Sequence, residues 1–248
     1  MNIYTAGTSQ GSLDHNKGTE KAPEAILKEI HNNYSPHPIT ITEDNIDQTQ
    51  KNIYETLIKE KEFAILIGGD HSITQASFTA FAKKYNNPGL IMFDAHPDCT
   101  NNFKTTHEDF INVLISEKVL PPKNLAMIGV RAAHPQELAF LKEQGVKVYF
   151  MNTIHNTEFM ADEIMENLRT CDGIYLTIDI DVLDPAYAPG TGYLEPGGMT
   201  SRELFQLLER FKHLKNLKFL DIVEVNPEKD TNNLTVRTAA KIVQTFSE

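Results

Sequence analysis

Two kinds of apolar pattern alternate along the chain. Short runs of consecutive apolar residues read as strands buried on both faces, the pattern of a parallel sheet covered by helices. Between them lie segments whose apolar positions return every three or four residues, the mark of amphipathic helices. Strands are predicted at Asn2 to Ala6, Ile39 to Thr42, Phe63 to Ile67, Leu90 to Phe93, Leu125 to Val130, Val146 to Met151, Ile174 to Ile180 and Leu217 to Val225. Helices are predicted from Pro23 through about Tyr34, Asn45 to Lys61, Ser72 to about Tyr85, His107 to Lys118, from near Pro135, from about Glu158 to Thr170, Ser201 to His213 and Leu234 to Phe246. Ser72 and Ser201 are the expected side-chain caps of their helices, and Pro23 occupies a first turn, where its missing N–H costs nothing. Strands alternating with helices predict an α/β sandwich with a mainly parallel sheet, a closed barrel being the weaker alternative. With no repeat, low-complexity tract or linker in 248 residues, one domain is expected.

The run Leu90-Ile91-Met92-Phe93 leads directly into Asp94-Ala95-His96-Pro97-Asp98. In extended chain, side chains at i, i+2 and i+4 point the same way, so Asp94, His96 and Asp98 are expected to face one site. Open parallel sheets bind ligands beyond the carboxyl ends of their strands. Two further strand ends carry metal-capable groups, His71 after Gly68-Gly69-Asp70 and the pair Asp179 and Asp181. Alone, His71 reads as a local hydrogen-bonding residue and Asp179-x-Asp181 as turn chemistry. Three such clusters at three strand ends favour a metal, because unpaired buried charges are expensive. Two histidines and four carboxylates suit divalent ions such as Mn²⁺, and the absence of cysteine among them argues against a structural zinc site. Four aspartates balance the charge of two divalent ions, which carboxylates bridge at roughly 3.5–4 Å in two-metal hydrolases.

Composition narrows the partners. With 34 acidic against 23 basic residues the formal charge is −11, so nucleic acid is excluded and a cationic small molecule or metal ions fit better. Acidity by itself also serves solubility. Cys99 and Cys171 cannot form a disulfide framework, there is no apolar run near 18 residues, and no basic segment precedes an apolar one. A cytoplasmic protein without membrane span or secretory signal is expected.

The motifs Gly68-Gly69-Asp70-His71-Ser72, Phe93-Asp94-Ala95-His96-Pro97-Asp98 and the run from Thr177-Ile178-Asp179-Ile180-Asp181 to Pro189-Gly190 resemble the three signatures of the ureohydrolase (arginase/agmatinase/formiminoglutamase) family. Gly18 to Pro23 and Glu224-Val225-Asn226-Pro227 extend the resemblance over nearly the whole chain. It implies an eight-stranded, three-layer α/β/α fold and a dinuclear manganese centre. Asp94 and Asp179 would bridge, His71 and Asp98 would complete one ion's shell, and His96 and Asp181 the other's. Asp98 would orient the attacking hydroxide, His107 would shuttle the proton to the leaving amine, and Glu224 would pair with the guanidinium. Trimers or hexamers are implied as well.

Three departures bear on the substrate. The loop from Cys99 to Thr106 is shorter than the one with which arginases read the α-carboxylate, and Ala132-Ala133-His134 follows Arg131 where arginases carry acidic residues for the α-amino group. His107 is followed by Glu108 rather than a small residue. Agmatine is thus the leading expectation, with arginine or another guanidino acid next and formiminoglutamate third. Outside the family, a two-metal phosphoesterase would need Arg or Lys within the motifs, where there is none, and the intact ligand set speaks against a non-catalytic metal-binding protein.

Overall fold

The computed structural model describes residues 1–30, 34–102 and 105–247. Among them, eight strands form one sheet in the order β2-β1-β3-β8-β7-β4-β5-β6, every neighbouring pair parallel. The strands are β1 (Asn2–Ala6), β2 (His37–Pro38), β3 (Ala64–Gly68), β4 (Pro88–Phe93), β5 (Leu125–Val130), β6 (Lys147–Phe150), β7 (Gly173–Asp179) and β8 (Leu217–Val223). The sheet has two edges, β2 and β6, so the barrel alternative is excluded.

Alternate residues of each central strand enter different cores. Ile65 and Ile67 of β3 and Ile91 and Phe93 of β4 join one cluster, while Ala64, Leu66, Leu90 and Met92 join the other. The first cluster is closed by α1 (Ala22–Glu29), α6 (Thr157–Asn167), α7 (Ser201–Phe211) and α8 (Leu234–Ser247), through Ile26, Ile164, Leu207 and Ile242. The second is closed by α2 (Ile46–Leu57), α3 (Ile73–Ala82), α4 (Phe110–Ser116) and α5 (Pro135–Gln144), through Ile53, Phe78, Leu114 and Leu141. Helices on both faces explain why β3, β4, β5 and β7 are buried along their whole length and read as unbroken apolar runs.

Several boundaries differ from the sequence reading. The helix after Pro23 ends at Glu29, with Ile30 already extended; its expected continuation toward Tyr34 crosses residues 31–33, outside the described residues. The second strand is His37–Pro38 rather than Ile39 to Thr42, a short exposed edge paired only with β1. At α7 the cap is Thr200, not Ser201. Its hydroxyl accepts from the Glu203 N–H at 3.2 Å, and the Glu203 carboxylate accepts from the Thr200 N–H at 2.8 Å. That reciprocal pair satisfies two amides and places Leu204, Leu207, Leu208 and Phe211 on the buried face.

The four central strands run β3-β8-β7-β4, and the residues just past their carboxyl ends converge above the middle of the sheet. No helix of the described residues is long and apolar enough to cross a membrane.

Candidate metal centre

His71 sits in the turn between β3 and α3. Gly69 is required there, since a Cβ would lie 1.9 Å from the Thr8 carbonyl oxygen, which accepts the Asp70 N–H at 2.8 Å. Ser72 does not cap α3. Its backbone is already helical, and its hydroxyl makes no hydrogen bond; the Asp70 carboxylate, two residues earlier, accepts the Ser72 N–H at 2.9 Å and the Gly11 N–H at 3.0 Å. Burial, then the charge of Glu224, pushes Asp70 up to about 6.

After Phe93 the chain leaves the strand, and the regular alternation expected for Asp94, His96 and Asp98 is lost. Asp98 has φ 49°, in the left-handed region that is uncommon for non-glycine residues. The three side chains diverge as a result. Asp94 and Asp98 face His71, whereas His96 turns toward Asp181. His71 Nδ1 lies 3.1 Å from Asp94 Oδ2, 3.0 Å from Asp98 Oδ2 and 3.4 Å from Asp179 Oδ2. His96 Nδ1 lies 3.0 Å from Asp181 Oδ2 and 3.5 Å from Asp94 Oδ1. Two overlapping donor sets emerge, His71–Asp94–Asp179 and Asp94–His96–Asp181, with ligand atoms of each within 4.8 Å of one another. Asp94 contributes one oxygen to each.

The donors fit metal ions better than they fit each other. His71 Nδ1 and Asp94 Oδ2 are buried 3.1 Å apart without hydrogen-bond geometry between them, an expensive arrangement that a cation would satisfy. Burial and the charge of Asp94 push Asp98 up to about 8, and burial with the charges of Asp181 and Asp94 raises Asp179 well above the carboxylate range. Burial works the other way on both imidazoles, yet the carboxylates outweigh it: Asp181 raises His96, and Asp179, Asp94 and Asp98 raise His71. His96 in turn holds Asp181 down at about 2 against burial. Protons therefore occupy the metal-free site, and ions must displace them. Because Asp98 is raised, its proton persists from its ordinary range up to about pH 8, so metal affinity should climb with pH through that window and fall below it. Manganese titrations by calorimetry at pH 6, 7 and 8, with proton release read from the buffer dependence of the heat, check this; a pH-independent affinity would contradict it.

Behind His71, Nε2 lies 2.9 Å from the Thr177 hydroxyl. With Nδ1 turned to the carboxylates, Nε2 carries the hydrogen and donates, which fixes the tautomer that a metal ligand needs. Buried Asp221 stands next in this network, accepting from Thr74 at 2.7 Å and Tyr175 at 2.6 Å; burial raises its carboxyl, and the charge of His71 and the Thr177 hydroxyl oppose that.

Glu224 follows β8 at φ 63°, a second strained non-glycine position. It is anchored throughout: its N–H donates to the Gly69 carbonyl at 2.8 Å, and its carboxylate accepts from the His71 N–H at 2.7 Å and Asn16 Nδ2 at 2.6 Å. Asn16 is reached because Gly18, at φ 112°, turns the loop against Asn226, whose amide donates to the Asn16 side-chain oxygen. His107 lies in a turn rather than at a helix start, since α4 begins at Phe110 after Asp109 gathers the Thr100 and Thr106 hydroxyls at 2.7 and 2.6 Å. Its Nδ1 is 3.1 Å from Glu224 Oε1, while Nε2 is buried without a partner. Burial opposes the charge on both; even so, pairing with Glu224 raises His107 to about 9, and pairing with His107 lowers Glu224.

A cavity of about 390 Å³ opens over these groups, lined by His96, Asp98, His107, Asp179, Asp181 and Glu224 among others. Every sequence-predicted site residue is thus in one place. Sequence reasoning missed Asn16, Tyr193 and Glu195; Asn16 lies 208 residues from the carboxylate it orients and carries no local signal.

An open parallel sheet with two overlapping nitrogen and carboxylate donor sets above its central strands is the framework of a binuclear metal hydrolase. The arginase family profile matches residues 3–247, and the chain belongs to that family of ureohydrolases. It is 34% identical to the arginase of Bacillus subtilis over 77% of this chain and 70% of that one, and 32% identical to an agmatinase of Bacillus anthracis over 84% and 71%. The crystal structure of the Bacillus subtilis arginase superposes with a TM-score of 0.90 at 28% identity, covering 99% of this chain and 97% of the other. The resemblance read from the three motifs and the expected three-layer fold are both borne out.

Proposed function

We propose that the chain hydrolyses a linear guanidino compound, agmatine foremost, to an amine and urea at a centre of two Mn²⁺ ions. The observation that carries the dinuclear reading is Asp94, whose two oxygens face two different histidines. His71, Asp98 and Asp179 would complete one ion's donors, and His96 and Asp181 the other's, with Asp179 as second bridge on the family resemblance. When bound, such a pair lowers the pKa of water from 15.7 toward about 7 and so supplies hydroxide at neutral pH.

The chain's own groups account for the remainder. A guanidinium is a planar fork of donors, and the buried Glu224 carboxylate is the acceptor matched to it. Asn16 and the His71 amide hold that carboxylate in orientation. Asp98 stands 3.0 Å from His71 Nδ1, placed to accept a hydrogen bond from the nucleophile. His107, held by Glu224 through Nδ1, presents Nε2 to the cavity as the proton donor to the departing amine.

Agmatine is favoured by charge. None of the described residues lining the cavity is Lys or Arg. Neighbouring Arg131 is occupied throughout: Nε donates to the Glu195 carbonyl, Nη1 to those of Gly129 and Val182, and Nη2 to those of Asp181, Leu183 and Glu195. An α-carboxylate would therefore lose its water with no cation to meet it. Arginine is the runner-up, and formiminoglutamate or another guanidino acid follows. Phe103 and Lys104 of the short loop lie outside the described residues. Urea release from agmatine, arginine and guanidinobutyrate, beside formamide release from formiminoglutamate, should show agmatine ahead of arginine by about 10–200-fold in kcat/KM. A preference for arginine would reverse the substrate assignment. A cytoplasmic homo-oligomer, trimer or hexamer, belongs to the same reading and is checked by sizing with light scattering.

A further inference from the structure

Three carboxylates line the outer part of the cavity, those of Glu108, Glu137 and Glu195. Glu137 is occupied: its oxygens accept the His134 N–H at 2.9 Å and the Cys99 N–H at 3.3 Å. Glu108 and Glu195 have imidazoles as their nearest cationic partners, His107 Nε2 at 4.0 Å and His96 Nε2 at 3.9 Å. Their side chains are 34% and 36% exposed, at the boundary between the site and solvent. With four aspartates balanced by two divalent ions, His96 a neutral ligand and Glu224 matched to a guanidinium, the rim keeps net negative charge, since two carboxylates face the single imidazolium of His107.

Glu108 is nevertheless held in place. Tyr193 donates its hydroxyl to Glu108 Oε1 at 3.2 Å, and its ring stands 5.9 Å from that of His107 and 5.3 Å from that of His96. The Tyr193 ring thus walls the space between the reacting end and the rim. An independent observation points inward from the same place: His107 Nε2, on a side chain 5% exposed, has no hydrogen-bond partner and lies 4.0 Å from Glu108 Oε1. His107 and Glu108 thus stand side by side on the cavity wall, so a ligand that meets the imidazole also passes the carboxylate.

We infer that Glu108, oriented by Tyr193 and assisted by Glu195, reads a second positive charge at the end of the substrate remote from the guanidinium. This deepens the proposed function and rests on it for the reacting end only. Glu224 recognises the guanidinium common to every candidate; Glu108 recognises the distal ammonium that agmatine has and a simple alkylguanidine lacks. The Tyr193 ring covers the methylenes between, and the same rim repels an α-carboxylate. Glu108 is a specificity residue in this account.

The test uses manganese-loaded full-length protein and two matched pairs, agmatine against n-butylguanidine for turnover and 1,4-diaminobutane against n-butylamine for binding by calorimetry. A charge-assisted contact at a partly wet rim is worth about 10–100-fold. Wild type should prefer the doubly charged member of each pair by that factor, mainly in KM for the substrates. Glu108→Gln should compress both ratios to within about threefold, Tyr193→Phe should compress them less, and Glu108→Asp should retain most of the preference. Equal affinity for diamine and monoamine in wild type, or ratios unaltered by Glu108→Gln, would overturn the assignment. The two readings fail separately. Loss of diamine selectivity in Glu108→Gln without urea release from any guanidino compound supports the rim and removes the ureohydrolase; urea release with no charge preference does the reverse.

Discussion

Asp94→Asn should release both ions and abolish hydrolysis, while Asp181→Asn should weaken one ion only. Asp94 alone places an oxygen against each histidine, 3.1 Å from His71 Nδ1 and 3.5 Å from His96 Nδ1, whereas Asp181 approaches His96. Elemental analysis of manganese-reconstituted protein should give close to two ions per wild-type chain, fewer than about half an ion for Asp94→Asn, and about one for Asp181→Asn. Turnover by Asp94→Asn should fall on the order of 10⁶-fold, since the source of the nucleophile is gone. A second readout separates this from simple misfolding. Removing one charge from a buried cluster whose members raise each other's pKa should leave metal-free Asp94→Asn melting no lower than the metal-free parent. Retention of both ions by Asp94→Asn, with their loss from Asp181→Asn, would reverse the assignment.

His107→Ala should lower kcat by about 10²–10⁴-fold with both ions still bound, the range that general acid–base groups contribute. The imidazole touches none of the metal donors and hydrogen-bonds Glu224, so metal content should not change. Its sign with pH also follows. Glu224 raises His107, against burial, to about 9, so the imidazolium is the resting form at neutral pH and acts as the acid. Wild-type kcat should therefore decline as pH rises through that ionisation, and His107→Ala should lack this alkaline limb. An unchanged kcat, or an alkaline limb that persists in the variant, would remove His107 from proton transfer.

The parts legible in the sequence were those set by local periodicity. Continuous apolar runs marked β3, β4, β5 and β7 because helices cover both faces, and the ligands were found because each follows such a run directly. Edge strand β2 was displaced because two exposed residues with one neighbour carry no comparable pattern. At α7 the spacing Thr200-x-x-Glu203 was the better signal than the adjacent Ser201, since only that spacing closes the reciprocal cap. Ser72 fails as a cap because its backbone is already helical and the amides it would have served, those of Thr74 and Gln75, donate to the His71 and Ser72 carbonyls. Even spacing along Asp94, His96 and Asp98 suggested one shared direction, but the left-handed turn at Asp98 and the exit from the strand divided them between two donor sets. Glu224's support came from Asn16, a pairing of chain ends that no window of sequence contains.

That pairing has a consequence for how the molecule is made. The donors come from the ends of β3, β4 and β7; β4 and β7 pair directly, but β3 is joined to them only through β8, the last strand in the chain. Pairings of such long sequence separation form late and slowly. Ions arriving earlier would meet isolated carboxylates, so metal capture should trail the backbone in refolding, appearing as a second, manganese-dependent phase after the sheet's circular dichroism has returned. Chelation of the finished protein should correspondingly lower its melting temperature without dissolving the sheet, because two apolar clusters stand on either side of it independently of the ions.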